Sequence, residues 1–463
     1  MSTQDTRAGQ SGDRTGPELA RVLGFRDLLF IAMGQIIGAG VVALTGVAIG
    51  MTGPAVVLAY PAAALFSIVV ALPIVIAGGA LPTVGGFYVW TSRLGGAWMG
   101  SGVLMLILLA SISLGLYGTS FGLYLNPILP VLSVNGWGVV VLVVLFGANL
   151  LGLRMAAGVQ SALVLVLLSA LAIYAGFAIP EVDPARLDPM LPHGVGGFLS
   201  AIFLLKFATG GAHLVVGLGG EVENAERTLP RVMVLATLIV AVFYAGIALA
   251  AVGVVPWREM VDQPLTVAGR AFLPGWALTY FLVGGAGIAI VTTLNAQFIQ
   301  LPRNFLVAAW DGLLPEWLGR LHRFGAPWVI LSIMALIGLV PLVAGLDISA
   351  IARATTIAAT LPALFVYWAV LRIPKAHPER FARSILRPGP LGMGALFVFS
   401  EVSAILGVIL LGRDLPVGVA LGLAGGAVLA FTWYPVRRRL LARRGIDLEA
   451  RMRDPAILVG EAD

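Results

Sequence analysis

Gly34-Gln-Ile-Ile-Gly-Ala-Gly-Val41 lies within an apolar run, and its glycines decide how that run is read. A second apolar run, in the other half of the chain, is interrupted by Thr209-Gly210-Gly211. A helix in lipid must satisfy every backbone N–H and C=O internally, so a break is tolerated only where protein or water takes over those bonds. Two such breaks, one per half, mark a secondary transporter whose substrate docks on unwound backbone near the bilayer midplane. Either break alone has a plainer reading, because glycines also let membrane helices pack closely.

The surrounding composition agrees with a membrane protein. Of 463 residues, 59% are hydrophobic and only 11% charged, far too apolar for a soluble globule. The sequence pI is near 9.9. The basic residues fall in short segments between apolar runs, however, which is membrane topology and no nucleic-acid face. Cysteine is absent, which removes disulfides and thiolate metal sites from consideration. The first 20 or so residues are polar and lack the apolar core of a cleavable signal peptide.

Twelve apolar segments are expected, at 28–50, 54–81, 101–125, 134–152, 160–180, 196–220, 232–255, 276–301, 327–345, 349–371, 391–411 and 416–435. Most exceed the roughly 18 apolar residues that mark a spanning helix. Pro82–Gly100 reads as a cytoplasmic connector, and Asp311–Phe324 as an interfacial helix. With the N-terminus inside, 23 Lys and Arg lie on the inner side and 4 on the outer. That bias places both termini in the cytoplasm. The basic run Arg437-Arg438-Arg439 then reads as a stop-transfer and headgroup anchor.

Gly38 lies roughly 15 Å along its segment from the cytoplasmic face, and Gly210 roughly 21 Å along its own from outside. Both breaks thus fall near the bilayer centre, approached from opposite faces. The expected organisation is an all-α membrane protein with a disordered N-tail at 1–24 and a first repeat of five helices at 25–180. An inverted second repeat follows at 195–372, then helices 11 and 12 at 391–435 and a basic cytoplasmic C-tail at 436–463. Helices 1 and 6 are discontinuous.

These residues resemble a known family. Gly34–Val41 looks like the helix 1 motif of the amino acid–polyamine–organocation (APC) transporters. Pro82-Thr-Val-Gly-Gly-Phe-Tyr88 resembles their P-x-x-G-G-x-Y connector. Gly220-Glu-Val-Glu-Asn-Ala-Glu-Arg-Thr-Leu-Pro230 is similar to their E-E-V-x-N-P-x-R-x-x-P. Arg303 with Ala308-Ala-Trp-Asp-Gly-Leu-Leu-Pro315 resembles the motif after helix 8, and Leu371-Arg372 the end of helix 10. The resemblance implies the LeuT-type five-plus-five fold, amino acids or related amines as substrates, and a cell-membrane location. A monomer or homodimer without cofactor is expected.

Placed on this sequence, the site comprises Ile37, Gly38, Ala39, Gly40 and Val41 at one break. Phe207, Ala208, Thr209, Gly210 and Gly211 form the other. Free N–H groups at the start of the second half-helix suit a substrate carboxylate. Carbonyls around Phe207–Gly210 suit its ammonium. By resemblance Phe207 is the outer gate; a lipid- or core-facing aromatic is the alternative.

Two departures bear on coupling. Ile76 stands where many members have a Glu in helix 2, and helix 5 carries no Lys, with Leu167 at about that place. The coupling candidates are therefore His213, Lys206, Thr292, Thr293 and Gly34. His213 has a proton-coupling pKa range but could equally be a packed neutral histidine. Lys206 suits an acidic substrate or replaces a cation; alternatively it pairs with Glu401 or snorkels. Thr292-Thr293 resembles the hydroxyl pair of a sodium site completed by the Gly34 carbonyl, with plain back-bonding as the alternative. H+ and Na+ both remain open, as do exchange and uniport. A small neutral amino acid is the expected substrate, since no acidic residue replaces the lost ones; Lys206 keeps an acidic one open. Arg353 is expected to pair with Asp347, and Glu401 to make a structural or oligomer contact. An intramembrane enzyme lacks convergent catalytic groups, and a channel would need a symmetric ring.

Overall fold

A computed structural model describes residues 21–126, 128–344, 348–413 and 415–453. The described residues are helical, with two isolated backbone bridges and no strand. In chain order the helices are α1 (Phe25–Ile36), α2 (Ala39–Thr52), α3 (Val56–Ala80), α4 (Gly86–Gly95), α5 (Ala97–Ala110) and α6 (Ser113–Leu125). Next come α7 (Val134–Leu150), α8 (Leu153–Ala178), α9 (Gly194–Thr209), α10 (Ala225–Val254), α11 (Leu265–Phe272) and α12 (Gly275–Tyr280). α13 (Ile288–Gln300), α14 (Pro302–Trp310), α15 (Trp328–Ala344), α16 (Ile348–Val370), α17 (Ile373–Ala376) and α18 (Pro378–Arg383) follow. The last helices of the described residues are α19 (Pro390–Gly412), α20 (Val417–Ala430), α21 (Trp433–Ala442) and α22 (Leu448–Arg453).

Among the described residues nine helices are long and apolar enough to cross a membrane. α7 and α15 are apolar but only 17 residues long. The first expected segment is divided between α1 and α2 by its break. α3 runs along α10, α9 lies against α2 and α3, and α1 packs on α8, α10 and α13. The broken elements therefore sit at the centre of the bundle.

Several expectations are corrected. Asp311–Phe324 forms no interfacial helix: only Glu316–Gly319 makes a 3-10 turn. Gly312 and Gly325 take left-handed backbone there, and Pro315 interrupts the ladder. The fifth and seventh segments begin earlier than expected, at Leu153 and Ala225. Pro230 lies inside α10 as its sixth residue. A π-helical stretch, Phe281–Gly287, interrupts the eighth segment.

Of the expected N-tail, residues 1–20 lie outside the described residues. Leu23, however, is 1% exposed, and Val22 and Leu23 both donate backbone N–H bonds to the Glu221 carbonyl at 3.0 Å. The expected C-tail holds the rest of α21 and, after a turn at 443–447, α22, and 454–463 lie outside the described residues. Asp347, the expected partner of Arg353, also lies outside them.

Candidate functional site: two facing helix breaks

α1 stops at Ile36 because Ile37 (ψ 85°) and Gly38 (φ −115°, ψ −157°) leave helical backbone. A helix end exposes carbonyls that need partners. Here hydroxyls of neighbouring helices supply them. The Thr293 hydroxyl lies 3.0 Å from the Gly34 carbonyl oxygen, 3.3 Å from that of Ile37 and 3.1 Å from that of Ala289. Thr292 reaches the Ile37 carbonyl at 3.5 Å and that of Ala289 at 2.9 Å. Tyr244 donates to the Ile36 carbonyl at 3.4 Å. α2 then starts at Ala39 with no side chain capping it, so the N–H groups of Ala39, Gly40 and Val41 point out of an uncapped N-terminus.

The second break is built from glycines for a physical reason. Gly211 has φ +116°, a conformation costly for any residue with a Cβ. Beyond it Ala212–Gly217 continues as a 3-10 helix. Thr209 ends α9, sharing a 2.9 Å hydrogen bond with Ser67 of α3.

The two breaks face each other closely. A methyl group on Gly40 would lie 3.0 Å from the Ala208 Cβ, and one on Gly211 would lie 3.3 Å from the Gln35 backbone oxygen. One on Gly38 would lie 2.8 Å from the Thr293 hydroxyl. Gly34, Ile37, Gly38, Gly40, Ala208, Gly211, Thr292 and Thr293 thus form one constellation. Opposite the α1 face, a cavity of ≈ 20 Å³ between α3, the second break and α10 has room for a single water. It is lined by Ser67, Thr209, Gly210, Gly211, His213 and Thr237.

The remaining candidates lie around this centre. His213 lines that cavity and stacks on Phe87 of α4, with ring centroids 6.1 Å apart and planes 9° from parallel. Lys206 sits 5.3 Å above the Phe66 ring; among the described residues no ion pair joins it to Glu401. Phe207 is 50% exposed. On helix 5, a methyl group on Gly34 would meet Gln160 and Val164, so those residues stand opposite the break.

Sequence reasoning missed a buried amide chain. Asn149 donates to the Asn295 Oδ1 at 2.8 Å, and Asn295 donates to the Gln160 Oε1 at 2.9 Å. Its signal was present, since uncharged polar residues within membrane helices also need partners.

The motifs around Pro82–Tyr88, Gly220–Pro230 and Arg303–Pro315 are joined by two buried ion-pair clusters. Glu221, after the second break, takes a two-point contact from Arg303 of α14, at 3.0 and 3.3 Å. The Asp311 carboxylate receives both Arg93 Nη atoms, at 2.6 and 2.7 Å, and the Tyr88 hydroxyl at 2.5 Å. Burial alone would lower the Arg93 pKa, but the Asp311 carboxylate outweighs it and holds the guanidinium charged. Burial and the same carboxylate push the Tyr88 hydroxyl well up, so it stays a neutral donor.

The profile of the amino acid permease family matches residues 23–430. The chain belongs to this family, within the APC superfamily. An uncharacterized transporter of Mycobacterium tuberculosis (strain H37Rv) is 30% identical over 317 residues, covering 67% of this chain and 71% of the relative. The branched-chain amino acid permease BcaP of Bacillus subtilis is 26% identical over 428 residues, 86% of this chain and 90% of that protein. The serine/threonine exchanger SteT of the same organism is 24% identical over 347 residues, 70% and 76% respectively. The permease is thus a multi-pass membrane transporter of an amino acid family, and no enzyme.

Proposed function

We propose that this permease carries a small neutral amino acid across the cell membrane by alternating access, with both termini cytoplasmic. Twelve crossings then form two inverted repeats, 25–180 and 195–372, followed by two further helices. The pairing of α3 with α10 supports the repeat, because each is the second segment of its half. The observation that carries the reading is the uncapped start of α2 facing the second break. A zwitterion needs one anion-seeking and one cation-seeking pole, and two half-helix ends provide both without a charged side chain. The similarity to BcaP, named for branched-chain amino acids, and to SteT, named for serine and threonine, supports a neutral substrate.

Sodium is the coupling ion this geometry favours. The hydroxyls of Thr292 and Thr293, 0% and 2% exposed, gather with the carbonyls of Gly34, Ile37 and Ala289. That uncharged, all-oxygen set suits a hard monovalent cation. Proton coupling through His213 is the second reading, favoured by its place on the water-sized cavity. Proteoliposome uptake of a labelled amino-acid panel, under a sodium or a proton gradient, tests both. Sodium-driven uptake abolished by Thr293→Ala supports the first; proton-driven uptake abolished by His213→Ala supports the second. No uptake of any neutral amino acid overturns the substrate class.

A further inference from the structure

The C-terminal region from Arg437 to Arg453 carries seven arginines and two acids. It folds as a helical hairpin: α22 turns back on α21, burying Leu448 and Met452, and the Tyr434 hydroxyl donates to Glu449 at 3.2 Å. Two of the arginines converge on Gly312. Arg437 Nε donates to its carbonyl at 3.0 Å, and a methyl group on Gly312 would lie 2.9 Å from Arg451 Nη1. Arg444 is a further charged neighbour of Arg437. The Arg451 Nε is enclosed and has no hydrogen-bond partner among the described residues.

The nearby acids offset this cluster only in part, and Asp447 is engaged in capping α22 through the Glu449 and Ala450 N–H groups. Asp311 is committed to Arg93 and Tyr88, and Glu449 to Tyr434 and Arg438. Glu316, which faces Arg437, is exposed. Arg437, Arg444 and Arg451 therefore present a surplus of positive charge.

An apolar groove of ≈ 320 Å³ reaches the end of α20, the helix that precedes α21. Met105, Leu109 and Ile112 line it from α5 and just beyond, Ile337 from α15, and Gly426 and Leu429 from α20. Ala430, the last residue of α20, lines it and lies seven residues before Arg437. Trp98, 50% exposed, and Trp433, whose Nε1 donates to the Leu313 carbonyl at 3.1 Å, stand at this end, as residues at a headgroup layer do.

We propose that the groove and the arginine cluster form a site for one anionic phospholipid, its acyl chain in the groove and its phosphate on Arg437, Arg444 and Arg451. Phosphate oxygens match the guanidinium donors, and the apolar walls match the chain. Only the assignment to the inner leaflet rests on the orientation proposed above; binding in detergent does not depend on it.

Native mass spectrometry of the full-length protein, offered equal phosphatidylglycerol and phosphatidylethanolamine, tests the site. Wild type is expected to retain phosphatidylglycerol preferentially. Arg451→Gln and the exposed Arg444→Gln should each weaken that preference about fivefold, one surface charge's share. Gly426→Leu, which fills the groove beside Leu109, should weaken both lipids. Melting curves confirm that each variant is folded. Preference unchanged in both arginine variants, or binding unchanged in Gly426→Leu, overturns the proposal. So does displacement of the phospholipid by inorganic phosphate alone, which would mark a free-anion site. Amino-acid uptake is measured separately, so loss of the transport reading leaves this result standing.

Discussion

Glu221→Gln should unlatch the side of the permease proposed as cytoplasmic. Three segments meet at Glu221. Its carboxylate binds Arg303 beyond the eighth expected segment, and its carbonyl holds Val22 and Leu23 ahead of α1. Both side chains of the ion pair are 7% exposed. Removing one partner of a buried pair costs about 3–5 kcal/mol, mostly because the other charge is left unpaired. The backbone bonds to Val22 and Leu23 survive the substitution. If the inward-open state lets Arg303 reach water, the cost falls on the closed state alone. About 3 kcal/mol then shifts the equilibrium roughly 100-fold toward opening.

The chain contains no cysteine, so a single reporter needs no background removal. Gln300, 1% exposed at the end of α13, is a suitable position for one. With Gln300→Cys in inside-out vesicles, an impermeant maleimide should label the Glu221→Gln protein up to about 100-fold faster than the parent. The charge-reversed pair Glu221→Arg with Arg303→Glu should restore slow labelling. Equal labelling rates in a folded Glu221→Gln protein would refute the latch.

Thr293→Ala strips a hydroxyl from three carbonyls and should cost about 1–3 kcal/mol in thermal unfolding. It should also remove any sodium-dependent rise in melting temperature, while Thr293→Ser retains both; a sodium response that persists in Thr293→Ala argues against the ion site. Gly211→Ala forces φ +116° on a residue with a Cβ, at about 1–3 kcal/mol, and presses on Gln35. Uptake should fall in protein that still inserts, and normal uptake would speak against a working role for that backbone. Arg93→Ala should destabilise by about 3–5 kcal/mol, leaving Asp311 buried and unpaired, whereas Tyr88→Phe should cost about 1.5–3 kcal/mol. Melting curves in the reverse order would contradict that reading of the cluster.

What could be read in the sequence follows the strength of each local signal. The breaks were legible because two glycine clusters, one in each half of the chain, fall at matched depth within apolar runs. The Gly34–Thr293 contact was legible through resemblance. Other features depend on packing across the bundle. The Asn149–Asn295–Gln160 chain joins residues 146 and 135 positions apart, and no local pattern links them. Asp311–Phe324 misled for a different reason: Trp317, Arg320 and Arg323 have the composition of an interfacial helix, but left-handed glycines and Pro315 set the backbone. The π-helical turn at Phe281–Gly287 falls in a glycine-bearing stretch whose alternative ladder only tertiary packing selects.

Charge placement carries the substrate argument one step further. The buried ion pairs seen here, Arg93–Asp311 and Glu221–Arg303, lie on connectors and exits rather than between the breaks. Around the breaks the described polar groups are hydroxyls, amides, backbone and the His213 imidazole, which stacks on Phe87, and the cation nearest in sequence, Lys206, is taken up by the Phe66 ring. A bound side chain with net charge would therefore meet only dipoles of a fraction of a charge each. Desolvating it there would cost several kcal/mol without a partner. A zwitterion with an uncharged side chain avoids that cost, because the half-helix ends meet its two charges and nothing remains to be neutralised. A Lys206→Met permease should accordingly keep its neutral substrate, with KM changed by less than about tenfold. A loss of neutral uptake, or high-affinity binding of glutamate by wild type alone, would instead make Lys206 the substrate's counter-charge.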